Sequence, residues 1–279
     1  VVTFMSHRKV GLVLATGGPS VVRAAYSSGN PAIGVGSGNA PALICPDADI
    51  DHAAASIVTS KSFDHGLICG SEHNLVVVDS VYDAFTEALE LHGAAVLNDH
   101  EAALFALSAV DLGRGIFKEE VIGKSAASSA ATAGIVRPYP IRLIVVPMSE
   151  VDPENPFSRE KMAPILSLFR VADTNAGFAL SRELLEIDGR GHTAIIHTQD
   201  ESLISRFGTS MPASRILINS PGAHGVVGMT TGLIPSLTLG CGTFGHTSTT
   251  DNVTYTHMMN IKRLAYYAPE RLVQLNGAG

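Results

Sequence analysis

Tryptophan is absent, cysteine occurs three times, and charged residues make up only 16% of the 279-residue chain. Each shortage excludes something. Cys45, Cys69 and Cys241 form an odd, widely spaced set without a Cys-x-x-Cys pair. That disfavours a disulfide framework or a zinc site and fits a reducing cytoplasm. The 11 histidines are scattered, with no His-x-x-x-His or His-Glu-x-x-His pattern, so no metal site is expected. A basic run is missing too, and the formal charge is −7, which argues against a nucleic-acid partner. No apolar stretch reaches the roughly 18 residues that a membrane helix needs, and no signal peptide opens the chain, so no membrane partner is expected. What remains is 46% hydrophobic, the composition of a soluble globular protein with one large or two ordinary domains.

Short apolar runs alternate with helical patterns, which predicts an α/β fold with largely parallel sheets. Val10–Ala15 is a continuous apolar run suited to a buried strand, followed by Thr16-Gly-Gly-Pro19 and a helix through Val21–Tyr26. Pro19 suits the first helical turn. A glycine turn there is either a phosphate cradle at a helix N-terminus or simply a tight turn. Alternate glycines at 34, 36 and 38 let backbone approach either a ligand or another strand. Asp49 or Asp51 caps a helix running to about Phe63. Further helices are expected over Val81–His92, Ala94–Leu112 and Asn175–Asp188, and Ser125–Gly134 is either helix or connector. Strands are expected at Leu75–Val78, Ile141–Val146, Ile165–Val171, Ala194–His197 and Ser214–Asn219. His192 falls in the turn Gly189–Thr193, where it either serves chemistry or holds the turn. Gln274–Gly279 reads as loose linker.

Everything is arranged around Lys61-Ser-Phe-Asp-His-Gly-Leu-Ile-Cys-Gly-Ser-Glu-His-Asn74. A thiol in a loop between helix and strand is well placed for a nucleophile, although a lone cysteine is more often a small buried hydrophobe. This stretch, with Val76-Val-Val-Asp-Ser-Val-Tyr-Asp-Ala84 after it, resembles the segment around the catalytic cysteine of CoA-acylating aldehyde dehydrogenases. The greatest likeness is to the aldehyde dehydrogenase half of bifunctional aldehyde–alcohol dehydrogenases. Further blocks follow in order from about Val10 to Tyr267, including Pro235-Ser-Leu-Thr-Leu-Gly-Cys-Gly242.

The resemblance implies an aldehyde dehydrogenase-like fold. The remaining part of a Rossmann-like NAD domain would occupy 1–40, a catalytic α/β domain 41–240, and a segment returning to a subunit contact 241–279. It implies NAD as cofactor, an aldehyde and coenzyme A as substrates, a homo-oligomer, and a cytoplasmic location. Cys69 would carry the thioester, and His192 would orient or protonate near the sulfur. Thr16, Gly17 and Gly18 would lie along the pyrophosphate, and Glu160, four residues before Pro164, would hold the nicotinamide ribose. Otherwise Glu160 is a solvated surface residue. Gly34, Val35 and Gly36 match the stretch where hydrolytic relatives carry a water-activating glutamate. Val35 takes that place, and an apolar side chain cannot act as a base. Measured against that family the chain looks like a fragment, opening at Val1 within the nucleotide domain. Two rival readings are a phosphate-dependent semialdehyde dehydrogenase and a catalytically silent piece.

Overall fold

The computed structural model describes residues 1–269. Helix α1 (Val2–Met5) leads to strand β1 (Val13–Thr16), helix α2 (Pro19–Tyr26) and strand β2 (Ala32–Val35). The chain then enters β3 (Ala40–Ile44), α3 (Ile50–Ser62), β4 (Glu72–Val78), α4 (Asp79–Leu91), β5 (Ala94–Val96) and α5 (Asp99–Ala109). A short hairpin, β6 (Val110–Asp111) and β7 (Ile116–Phe117), precedes α6 (Ala126–Thr132), β8 (Leu143–Met148) and β9 (Ile165–Val171). The last elements are α7 (Thr174–Leu184), β10 (Gly191–His197), α8 (Glu201–Ser210), β11 (Ala213–Ile218) and α9 (Gly222–Val226). The loose linker expected at 274–279 lies outside the described residues.

Strands β1 and β2 pair in parallel as a small sheet, while a seven-stranded sheet runs in the order β11-β10-β3-β4-β9-β8-β5. All pairings in the large sheet are parallel. Every residue of β3, β4 and β10 is buried, as expected of strands covered by helices on both faces. One face packs Ile57, Val58, Leu75, Val77 and Phe85 into a core, and the other packs Leu43, Val76, Phe169 and Phe207. Asp49, not Asp51, caps α3, its carboxylate accepting the His52 N–H at 3.0 Å. Asp49→Ala should therefore lower stability by about 1 kcal/mol in a urea unfolding curve. An unchanged midpoint would show that the cap contributes nothing.

Two expectations need correction, and one left open is decided. Residues 94–112 are not one helix. Gly93 turns the chain with φ +98°, Ala94–Val96 pairs beside Leu143–Val145, and an Asn98–Glu101 capping box starts the helix only at Asp99. The 125–134 segment resolves as a helix capped by Ser125. His192 lies inside a strand and not in a turn. Gly191, at φ +76°, takes up the reversal and donates its N–H to the Pro212 carbonyl, so β10 has begun by His192.

Candidate active site

Four neighbouring strands, β10, β3, β4 and β9, bring their N-terminal ends together. Each end delivers part of one site: His192 on β10, Gly38 and Asn39 before β3, Cys69 before β4, and Glu160 before β9. The delivery of Cys69 begins at the end of α3, where Asp64, His65 and Gly66 all take positive φ. Three left-handed residues in a row turn the chain sharply away from the helix axis. Gly66 is required for a second reason, because a Cβ there would stand 2.4 Å from the Ala163 carbonyl oxygen.

Cys69 is half-buried, and its sulfur lies 3.2 Å from His192 Nε2. His192 Nδ1 sits 2.9 Å from Thr193 Oγ1. With Nδ1–H donated to that hydroxyl, Nε2 presents a lone pair to the thiol. Burial pushes the Cys69 thiol up to about 12, reinforced by Glu160 and Cys241 and opposed by Arg215. Burial also pushes His192 down to about 3, with the Arg215 guanidinium adding to the effect. The resting pair is thus a neutral thiol facing a neutral imidazole, an acceptor ready for the proton that leaves when sulfur attacks. The Cys69 carbonyl is seated against Gly38, where a Cβ would come within 2.1 Å of its oxygen.

Glu160 is not a solvated surface residue. Its Oε1 accepts the Gly38 N–H at 2.8 Å, and burial pushes its carboxyl up to about 7. The three alternate glycines differ in purpose. A Cβ on Gly34 would strike Val22 and Tyr26, and its N–H is donated to the Tyr26 hydroxyl at 2.9 Å, so that glycine serves the packing of α2 on β2. Val35 is fully buried in the main core, and Gly36 opens onto a cleft of about 550 Å³. Ser37, Arg23, Asp188, Arg190, Cys241 and Phe244 also line this cleft. Pro19 borders it, whereas Thr16 at the end of β1 and Gly17 and Gly18 in the turn after it do not line it.

Several buried polar side chains escaped the sequence reading: Lys61, Glu72, His73, Asn39, Asn74, Lys161 and Arg215. Arg215 donates to the carbonyls of Gly240 and Thr250 at 2.6 and 3.1 Å, and its charge favours the Cys69 thiolate. Cys241 is buried at the cleft wall with its N–H on Thr247 Oγ1.

On this parallel sheet a half-buried cysteine faces a neutral histidine, and residues 1–103 match the aldehyde dehydrogenase family. More narrowly, the chain is homologous to the acetylating aldehyde dehydrogenases. It is 41% identical over 273 residues to the bifunctional aldehyde-alcohol dehydrogenase of Escherichia coli K12, a match covering 96% of this chain and 30% of that protein. An acetylating aldehyde dehydrogenase structure from Geobacillus thermoglucosidasius superposes with a TM-score of 0.91 at 42% identity, covering 96% of this chain and 59% of the other. A Rhodopseudomonas palustris propionaldehyde dehydrogenase, solved with CoA bound and a cysteine acylated, gives a TM-score of 0.79 at 30% identity. That match covers 89% of this chain and 55% of the other. The chain thus spans about a third of the bifunctional relative and under three fifths of the solved chains.

Proposed function

We propose that this chain carries the thioester-forming site of a CoA-acylating aldehyde dehydrogenase, converting an aldehyde, coenzyme A and a nicotinamide dinucleotide to an acyl-CoA and the reduced nucleotide. The observation that carries the reading is the 3.2 Å contact between Cys69 Sγ and His192 Nε2. Sulfur adds to the aldehyde carbon while His192 Nε2 takes the thiol proton, and the carbonyl oxygen gains the negative charge. Arg215 offsets that charge through the buried interior.

The residues present fit a dinucleotide. The 550 Å³ cleft is of ligand size, nothing stands where a Cβ on Gly18 or Gly36 would point, and a carboxyl pushed up to about 7 at Glu160 suits a sugar hydroxyl. Of the expected residues only Gly36 lines that cleft. Glu160, bonded to the nearby Gly38, would join it at the nicotinamide end, and Thr16, Gly17 and Gly18, outside the lining, would meet the pyrophosphate from the turn beside Pro19. When bound, the nucleotide would supply the hydride acceptor.

Loss of hydride leaves the acyl group on Cys69 as a thioester. Because Val35 is apolar and buried where hydrolytic enzymes carry a water-activating carboxylate, Cys69 releases its acyl group to an incoming thiol, whose proton His192 can also take. Residues 1–40 then act as the nucleotide-domain remainder and 41–240 as the catalytic domain. The segment from 241 onward reaches a second copy, a role supported by exposed Tyr255, Met258, Ile261, Leu264 and Tyr266. The three free cysteines suit a cytoplasmic location.

The test is reduced-nucleotide formation from acetaldehyde with CoA, with inorganic phosphate, or with neither. A rate that appears only with CoA is expected. Phosphate in place of CoA would indicate the semialdehyde enzyme, and an equal rate with neither would contradict the role given to Val35.

A further inference from the structure

Lys61 ends α3 on its buried face, and no part of its side chain is exposed. A buried ammonium is costly unless its three donors are used. All three are. Lys61 Nζ reaches Ser71 Oγ at 3.1 Å, His73 Nδ1 at 3.2 Å and the Lys161 carbonyl at 3.0 Å. Both of the first two partners follow Cys69, Ser71 in the loop entering β4 and His73 on β4 itself, and the third directly follows Glu160. Burial pushes the Lys61 ammonium down to about 7, while Glu72, Glu160 and Cys69 lie near enough to favour its charge. No carboxylate bonds to it, so the charge is held mainly at and below neutral pH. A second buried lysine repeats the pattern: Lys161 Nζ donates to Asn74 Oδ1 at 3.2 Å and to the Arg159 carbonyl at 2.7 Å. The Lys161 N–H also donates to His73 Nδ1 at 2.9 Å. The segment with the sulfur and the segment with Glu160 are therefore joined through lysines, where a purely structural core would use apolar contacts.

We propose that Lys61 is a positioning residue for the Cys69 chemistry: its ammonium ties the 69–74 segment to the 158–163 segment and holds a positive charge beside the sulfur. The inference rests on reading Cys69 as the nucleophile, but its test does not need turnover. The groups that face this charge are Glu72 and His73 of β4, Cys69 of the preceding loop, and Glu160 and Lys161 of the segment before β9.

The experiment is iodoacetamide alkylation of Cys69 in the full chain at one pH, followed by peptide mass spectrometry, with Cys69→Ala as the blank. Cys45 and Cys241 are buried, so Cys69 dominates the signal. Lys61→Gln keeps an amide donor and removes the charge. Its alkylation should be about three- to tenfold slower, since each unit of pKa costs tenfold in thiolate and higher basicity returns part of it. Lys61→Arg should recover most of the rate. A role in folding alone gives the opposite sign: a loosened loop would relieve the burial that holds the thiol protonated, and alkylation would speed up. An unchanged or faster rate in Lys61→Gln overturns the proposal.

Should Lys61→Gln not fold, Lys61→Arg decides by hydrogen exchange, because a planar guanidinium cannot meet the same three acceptors. Amides of 69–74 and 158–163 should then exchange faster together, and loosening of one segment alone overturns the tie. Slowed alkylation in a chain without dehydrogenase activity would support the Lys61 role while rejecting the proposed function, so the two failures are distinguishable.

Discussion

Replacing Cys69 with alanine will reduce aldehyde-dependent nucleotide reduction by about four orders of magnitude or more, as removal of a covalent nucleophile does elsewhere. His192→Ala should cost about two to four orders through loss of the proton acceptor. The comparison is informative because the two variants remove the two ends of one 3.2 Å contact. Groups that act as a unit are not additive, so the double variant should be scarcely worse than Cys69→Ala. A His192→Ala enzyme of full activity would end the case for that residue.

The pH behaviour of the free chain follows from the same pair. His192, pushed down to about 3, stays neutral through the physiological range, so acidification from pH 8 to 5 does not consume the base. Cys69, pushed up to about 12, is a thiol throughout that range. Its alkylation should climb about tenfold per pH unit from 7 to 10, without the plateau that a free cysteine reaches near its own pKa. A plateau near pH 8.5 in the native chain would mean that the sulfur is not buried as described.

Gly191→Ala is the substitution with the largest expected effect on stability, about 3 kcal/mol or more, seen as a lower urea midpoint. Two costs combine. The backbone sits at φ +76°, which a side chain rarely adopts, and the new Cβ would stand 1.9 Å from the Cys241 carbonyl oxygen. That oxygen belongs to backbone, so relief requires the 241–245 turn or the start of β10 to move. Because His192 is the next residue, the imidazole would be displaced from the sulfur as well. A variant with the wild-type midpoint would show that this close approach does not exist in solution.

Much of the fold was legible because the strands of a doubly covered parallel sheet are apolar along their whole length. Ile165–Val171 reads from sequence with the bounds it has in the structure. Ala94–Val96 did not, because one valine beside two alanines is too short a β signal and the flanking residues continue a helical pattern. Pairing to β8 decides that strand, and pairing is not local. Cys69 and Glu160 were found through motif order, but their neighbours were not. Lys61 had a visible signal: with Ala54, Ile57 and Val58 it shares the three- and four-residue spacing of the buried face of α3. A lysine on an apolar stripe points to a buried partner. Arg215 and Lys161 gave no such sign, since each stands within a short strand or loop where periodicity says little.

The Tyr26 hydroxyl accepts the Gly34 and Ser248 N–H groups, each at 2.9 Å, and reaches Ser248 Oγ at 3.3 Å. One phenol on α2 therefore joins the small sheet to a segment that Arg215 of β11 also grips, at Thr250. With no tryptophan and six tyrosines, emission excited to the red of the phenylalanine band comes from phenols alone. Tyr26→Phe would subtract the phenol that joins the small sheet to the 248–250 segment, so the difference in emission lifetime between the parent chain and this variant reports whether that joint is closed.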